Sequence, residues 1–155
     1  MPVPQPGAEA PDFELPTNGG GTLRLSSLRG KRVVLYTYPK DDTPGCSTEA
    51  QRFTDRINDI ESEDAVVVGI NNDDVPTHDA WIAKMGIPFV LVADTEAEAL
   101  EAYGSFGEME VRGQTIEATK RNTFLIDREG RIARVWEGVD PNDHVDEVVG
   151  ALREI

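Results

Sequence analysis

At 155 residues, with 39% hydrophobic residues in short runs between Gly, Pro, Asn and Asp, the chain reads as one domain that buries roughly two-thirds of its unfolded surface. Its net charge of −14, from 29 acidic against 15 basic residues, argues against nucleic acid or an anionic membrane as a partner. The single cysteine, Cys46, excludes an internal disulfide and any Cys-x-x-Cys redox or zinc motif.

The opening stretch Met1–Gly7 has neither the basic region nor the apolar run of a secretory signal. No later segment approaches the ~20 apolar residues of a membrane span, so a cytoplasmic protein is expected. Phe13–Leu15 and Thr22–Leu25 flank Asn18-Gly19-Gly20-Gly21 and predict an N-terminal β-hairpin at an edge. Val33–Tyr38 is a continuous β-branched and aromatic run, the pattern of a strand buried on both faces. Cys46, Ala50, Phe53, Ile57 and Ile60 then recur at helical spacing, which places Cys46 on the buried stripe of one helix, in its first turn.

Ala65–Ile70 predicts a second buried strand, and Pro76 opens a helix with Trp81, Ile82 and Met85 on its apolar side. Phe89–Val92 is a third strand and Glu96–Tyr103 a short helix. Ser105–Lys120, glycine-punctuated and mostly polar, reads as a long loop with one irregular strand around Val111. Thr123–Asp127 and Arg131–Trp136 predict a second hairpin, and Val145, Val148, Val149 and Leu152 mark a last helix. The order gives a single α/β domain over residues 1–155, a central mixed sheet flanked by helices, in the thioredoxin-like layout. His78 and His144 fall on the polar sides of their helices, where exposure is expected and no role is assigned.

Thr43 followed by Pro44 is a strong helix start, with the threonine expected to cap free backbone N–H groups. An anion is favoured at that position, so the thiolate form of Cys46 gains. Magnitudes limit the effect. A thiol with the reference pKa of about 8.5 is ~3% ionised at pH 7 and one lowered to ~6 is about 90% ionised. With a Brønsted slope of about 0.45 the thiolate loses about 13-fold in nucleophilicity, leaving a net gain of only about two- to threefold. Ionisation alone therefore does not make a fast nucleophile, and the rest must come from donors that orient a substrate and stabilise charge developing on its leaving atom.

The segment Tyr38-Pro39-Lys40-Asp41-Asp42-Thr43-Pro44-Gly45-Cys46-Ser47-Thr48-Glu49-Ala50 resembles the active-site segment of the peroxiredoxins, notably the bacterioferritin-comigratory or peroxiredoxin Q branch. Ala10–Pro16 is similar to the family's opening and Arg121–Asp127 to its late arginine-bearing strand, so the likeness spans nearly the whole chain. It implies a peroxide site of Pro39, Thr43, Cys46 and Arg121. By that resemblance Cys46 would attack the peroxide, Thr43 and Arg121 would orient it, Pro39 would shield the thiolate, and the backbone N–H groups of Gly45 and Cys46 would add donors. Glu49 resembles the family glutamate that fixes the arginine; an exposed helix-face carboxylate is the alternative.

Family members of this branch often carry a resolving cysteine five residues after the peroxidatic one, where Gln51 stands here. The cycle implied has one cysteine. Its sulfenic acid is reduced by an external thiol (thioredoxin-like, glutaredoxin-like or of low molecular weight) or pairs with Cys46 of a second subunit. The resemblance suggests a monomer or weak homodimer. No cluster of ligands for a metal or organic cofactor is present in the sequence, and none is expected.

Taken singly, Cys46 suits a small core residue, Thr43 a plain cap and Arg121 a surface charge; their occurrence together with Pro39 in family order carries the functional reading. Two rivals stand beside it. A cysteine hydrolase needs His78 or His144 next to the thiol, and a non-catalytic thioredoxin-like binding module needs only the fold. The acidic surface, with only four lysines, suits either a salt-rich cytosol or an ordinary acidic cytosolic protein.

Overall fold

The computed structural model describes residues 2–155. Glu14–Pro16 (β1) and Thr22–Arg24 (β2) pair antiparallel around a 3-10 turn at Asn18–Gly20. A bridge between Thr17 and Val92 fastens this hairpin to the edge of the main sheet. Arg32–Thr37 (β3) is followed by Pro44–Asp55 (α1) and Ile57–Ser62 (α2), then Ala65–Asn71 (β4) and Val75–Met85 (α3). Val90–Ala93 (β5), Glu98–Ala102 (α4), Phe106–Val111 (β6) and Gln114–Thr119 (β7) come next. Asn122–Ile126 (β8), Ile132–Trp136 (β9) and His144–Leu152 (α5) complete the chain.

The main sheet runs β5-β4-β3-β8-β9, parallel from β5 to β3 and antiparallel from β3 to β9. β3 lies at its centre because its side chains are apolar on both faces. Val34, Tyr36 and Tyr38 enter one core layer with Cys46, Phe53, Trp81 and Leu152, while Val33 and Leu35 enter the other with Leu100, Tyr103 and Phe124. Strand periodicity thus sends alternate residues to opposite helical layers. The central sheet also needs a glycine: a Cβ on Gly69 would sit 2.8 Å from Leu91 Cδ2 and 3.1 Å from Tyr36 Cε1. That gap lets the Tyr36 ring lie across β4 and pack on Phe53 with ring centroids 4.6 Å apart.

Three expectations are corrected. The stretch Ser105–Lys120 is not a loop: β6 and β7 form a separate two-stranded antiparallel sheet. The turn takes positive φ at Arg112 and Gly113, the geometry of a tight hairpin. Its pairing sets Glu108 opposite Glu117 and leaves Ile116 exposed, so the alternation that advertises a half-buried strand is missing. The helix carrying Cys46 is interrupted at Arg56, whose amide is shared by the carbonyls of Arg52, Phe53 and Thr54. Its buried stripe nevertheless continues to Ile60 in α2. His78 and His144 are not exposed. Both are buried, because each faces a buried carboxylate.

Candidate active site

The loop between β3 and α1 is held from below. Asp41, 3% exposed, accepts from the Tyr38 hydroxyl at 2.6 Å and from Asn71 Nδ2 at 3.2 Å through Oδ1. Its Oδ2 lies 2.5 Å from His78 Nδ1, and His78 Nε2 faces the Val92 carbonyl at 3.0 Å. The Asp41 amide donates to Asp73 Oδ2 at 2.8 Å. Burial disfavours the His78 imidazolium, yet the hydrogen bond and charge of Asp41 outweigh it and raise its pKa. The residues Pro39 to Thr43 therefore arrive at the helix start on a fixed support.

Thr43 is the N-cap of α1 by backbone position, its carbonyl accepting from the Ser47 amide at 2.8 Å. Its hydroxyl does not cap, contrary to expectation, but donates to the Lys40 carbonyl at 2.8 Å. Spending its hydrogen there leaves Thr43 Oγ1 as an acceptor toward anything bound at the helix start. The Gly45 and Cys46 amides precede the first intrahelical bond, where backbone donors lack partners within the helix. Pro39 is partly buried at the head of the loop.

Cys46 is 1% exposed. Arg121, one residue before β8, donates from Nη2 to Cys46 Sγ at 3.3 Å and from Nη1 to Glu49 Oε1 at 2.7 Å. The guanidinium fork spans thiol and carboxylate, which stand one helical turn apart on α1. Burial opposes the charge of Arg121, but Glu49 and Cys46 overcome it and raise its pKa. Glu49 is completely buried, so the exposed-carboxylate alternative fails. Burial pushes its pKa up to about 7 against the opposing pull of Arg121. Its Oε2 lies 3.2 Å from His144 Nε2.

The structure thus brings Cys46, Glu49, Gly45 and Arg121 together, with Thr43 and Pro39 at the loop that feeds them. It also supplies Tyr38, Asp41, His78 and His144, which the sequence reading left without roles. A signal for His78 existed: it stands at helical spacing from Trp81, Ile82 and Met85, on the apolar stripe itself. Neither imidazole serves Cys46 as a base, since His78 is bonded to Asp41 and His144 faces Glu49 and Thr123.

Gly45 leaves room for the arginine. A Cβ there would meet Arg121 Nη2 at 3.2 Å, a contact that displaces the guanidinium by a few tenths of an ångström. Gly45→Ala is expected to stabilise α1 by up to about 1 kcal/mol in urea titration. The same variant slows oxidation of Cys46 by hydrogen peroxide by up to about tenfold in stopped flow, because small misplacements weaken in-line geometry.

A cysteine at a helix start, forked to a buried carboxylate through one arginine, on a mixed sheet between two helical layers, defines the class of thioredoxin-like cysteine peroxidases. Residues 6–135 match the AhpC/TSA family, and the chain belongs to that family. Peroxiredoxin Bcp of Bacillus subtilis is 40% identical over 96% of this chain and 95% of its own length. Peroxiredoxin Bcp of Xanthomonas campestris is 34% identical over 92% and 89%. The crystal structure of a mutant PrxQ from Xylella fastidiosa superposes with a TM-score of 0.92 at 31% identity, covering 99% of this chain and 98% of that one. The chain is a thiol-dependent peroxidase, and nothing favours the non-catalytic binding module.

Proposed function

We propose that the enzyme reduces hydrogen peroxide and organic hydroperoxides in a one-cysteine cycle, with Cys46 as the peroxidatic nucleophile. The observation that carries this reading is the Arg121 fork, which sets a donor 3.3 Å from Cys46 Sγ. The Cys46 thiolate attacks one peroxide oxygen, the O–O bond breaks, and the displaced hydroxide or alkoxide takes up a proton to leave as water or alcohol. Arg121 and the Gly45 and Cys46 amides donate to the oxygens that carry developing charge. Thr43 Oγ1 accepts from the peroxide O–H, and Pro39 keeps bulk water from the thiolate.

Cys46 becomes a sulfenic acid. With no other cysteine in the chain, an external thiol attacks it, forming a mixed disulfide and releasing water; a second thiol releases Cys46 and carries away the disulfide. Because Cys46 is 1% exposed, the first turn of α1 must open before a bulky thiol reaches the sulfur. The reading places the enzyme in the cytoplasm, where thiol pools are reducing, as a monomer or weak homodimer.

Reduced protein is mixed with one equivalent of hydrogen peroxide at neutral pH while tryptophan fluorescence is followed. Trp81 reports on the site through Tyr38, whose ring centroid is 5.7 Å away. The expected result is rapid, single-phase oxidation, with one oxygen atom added to the intact mass and captured by a sulfenic-acid trap. A thiol that reacts no faster than free cysteine overturns the reading.

A further inference from the structure

Arg121 meets Cys46 and Glu49 with the tip of a long side chain, so a small shift of its backbone carries the guanidinium off the sulfur. Packing leaves room for that shift. Lys120, Arg121, Asn122, Gly138 and Val139 border an open recess of about 440 Å3, and a segment beside open space lacks van der Waals partners on that side. What holds it must be hydrogen bonds.

They converge on Thr37, the last residue of β3, which is completely buried. Its hydroxyl donates to the Lys120 carbonyl at 2.7 Å and accepts from the Asn122 amide at 3.1 Å. Those two groups belong to the peptide planes before and after the Arg121 Cα, so one oxygen brackets the residue on both sides. The Arg121 carbonyl accepts from the Val139 amide at 3.0 Å. The Asn122 side chain ties the same stretch further, accepting from the Gly138 amide and donating to Ser105 Oγ, each at 3.0 Å. A valine in place of Thr37 would suit a buried β-strand equally well, so the strand does not account for the hydroxyl.

We propose that Thr37 is a positioning residue of the peroxide site: by clamping the two peptide planes that flank Arg121, its hydroxyl sets the direction in which the guanidinium leaves the backbone toward Cys46 and Glu49. The role rests on the reading of Cys46 and Arg121 as the peroxide site. Without the hydroxyl, the Lys120 carbonyl and the Asn122 N–H lose this partner, and backbone polar groups left unpaired beside an open recess turn toward water. Arg121 turns with them.

The test takes the rate of Cys46 oxidation by hydrogen peroxide over the rate of its alkylation by iodoacetamide, as a ratio, at neutral pH. Both reactions need the thiolate and access to it, and only the first uses Arg121 as a donor to the reacting oxygens, so the ratio isolates the arginine. Thr37→Val keeps the branched shape and removes both bonds; its ratio is expected to fall by about tenfold, the scale of a misplacement well short of an ångström. Thr37→Ala removes the hydroxyl without setting a methyl against the Lys120 carbonyl and should give the same fall, so the result does not hang on the folding of one variant. Thr37→Ser keeps the hydroxyl and should hold the ratio within about threefold of wild type.

A wild-type ratio in either Thr37→Val or Thr37→Ala overturns the role, including the case in which both rates fall in parallel, which would make Thr37 a residue of the fold alone. A Thr37→Ser ratio that falls as far as the other two also overturns it. A wild type that reacts with peroxide no faster than free cysteine overturns the peroxide-site reading and this role with it, a result distinct from a fast wild type whose variants keep its ratio.

Discussion

Arg121→Lys leaves the fold intact and slows oxidation of Cys46 by hydrogen peroxide by on the order of 10²-fold, the scale seen when one preorganised donor is removed. The guanidinium bonds Cys46 Sγ with one nitrogen and Glu49 Oε1 with another, so its plane and its reach are fixed at once. An ammonium is a point charge on a flexible stem and cannot reproduce that fork. It still places a positive charge beside buried Glu49, so urea titration should show a loss smaller than the about 3–5 kcal/mol of removing one member of a buried pair. Alkylation of Cys46 by iodoacetamide separates two roles for the arginine. If Arg121 acts on the peroxide, alkylation changes less than about threefold while peroxide oxidation collapses. If both rates fall in parallel, Arg121 serves only to ionise the thiol and the proposed orientation of the O–O bond is wrong.

Much of this site is legible in the sequence. The uninterrupted run Val33–Tyr38 had to be central, since both faces are apolar, and the stripe from Cys46 to Ile60 had to turn the cysteine inward. Arg121 was reachable only by resemblance, because nothing local says that a residue before β8 folds back on α1. β6 and β7 were missed for a physical reason: a two-stranded sheet with little burial exerts no pressure toward alternating hydrophobicity. The burial of His78 and His144 departs from the expectation that a polar residue on a helix seeks water. Both instead pair with buried carboxylates, where a partner compensates the loss of solvation. Asp41 and Glu49 are those partners, and their burial depends on contacts between segments far apart in sequence.

Asp41→Ala is expected to destabilise the protein by about 3–5 kcal/mol, the range for breaking a buried pair by removing one member. Three donors converge on that carboxylate from the end of β3, from β4 and from α3: Tyr38 Oη and Asn71 Nδ2 on one oxygen and His78 Nδ1 on the other, while the Asp41 amide is tied to Asp73. Alanine leaves the Tyr38 phenol and the His78 Nδ1 without their partner in a buried site, while Asn71 Nδ2 keeps only its bond to Asp73. The pH dependence gives the sharper test. His78 has its pKa raised in the folded protein, with burial opposing and Asp41 prevailing. A raised folded value means that the folded state binds the proton more tightly than the unfolded state. The pair's contribution is therefore fully present below the unfolded histidine value of about 6.5 and is lost as pH rises through the folded value. Urea titrations of wild type and Asp41→Ala across this window should show a stability gap that is widest in mildly acidic solution and narrows on the alkaline side. A gap that stays constant would mean that His78 is neutral in the folded protein and that the loop before Thr43 is held by hydrogen bonds without the charge.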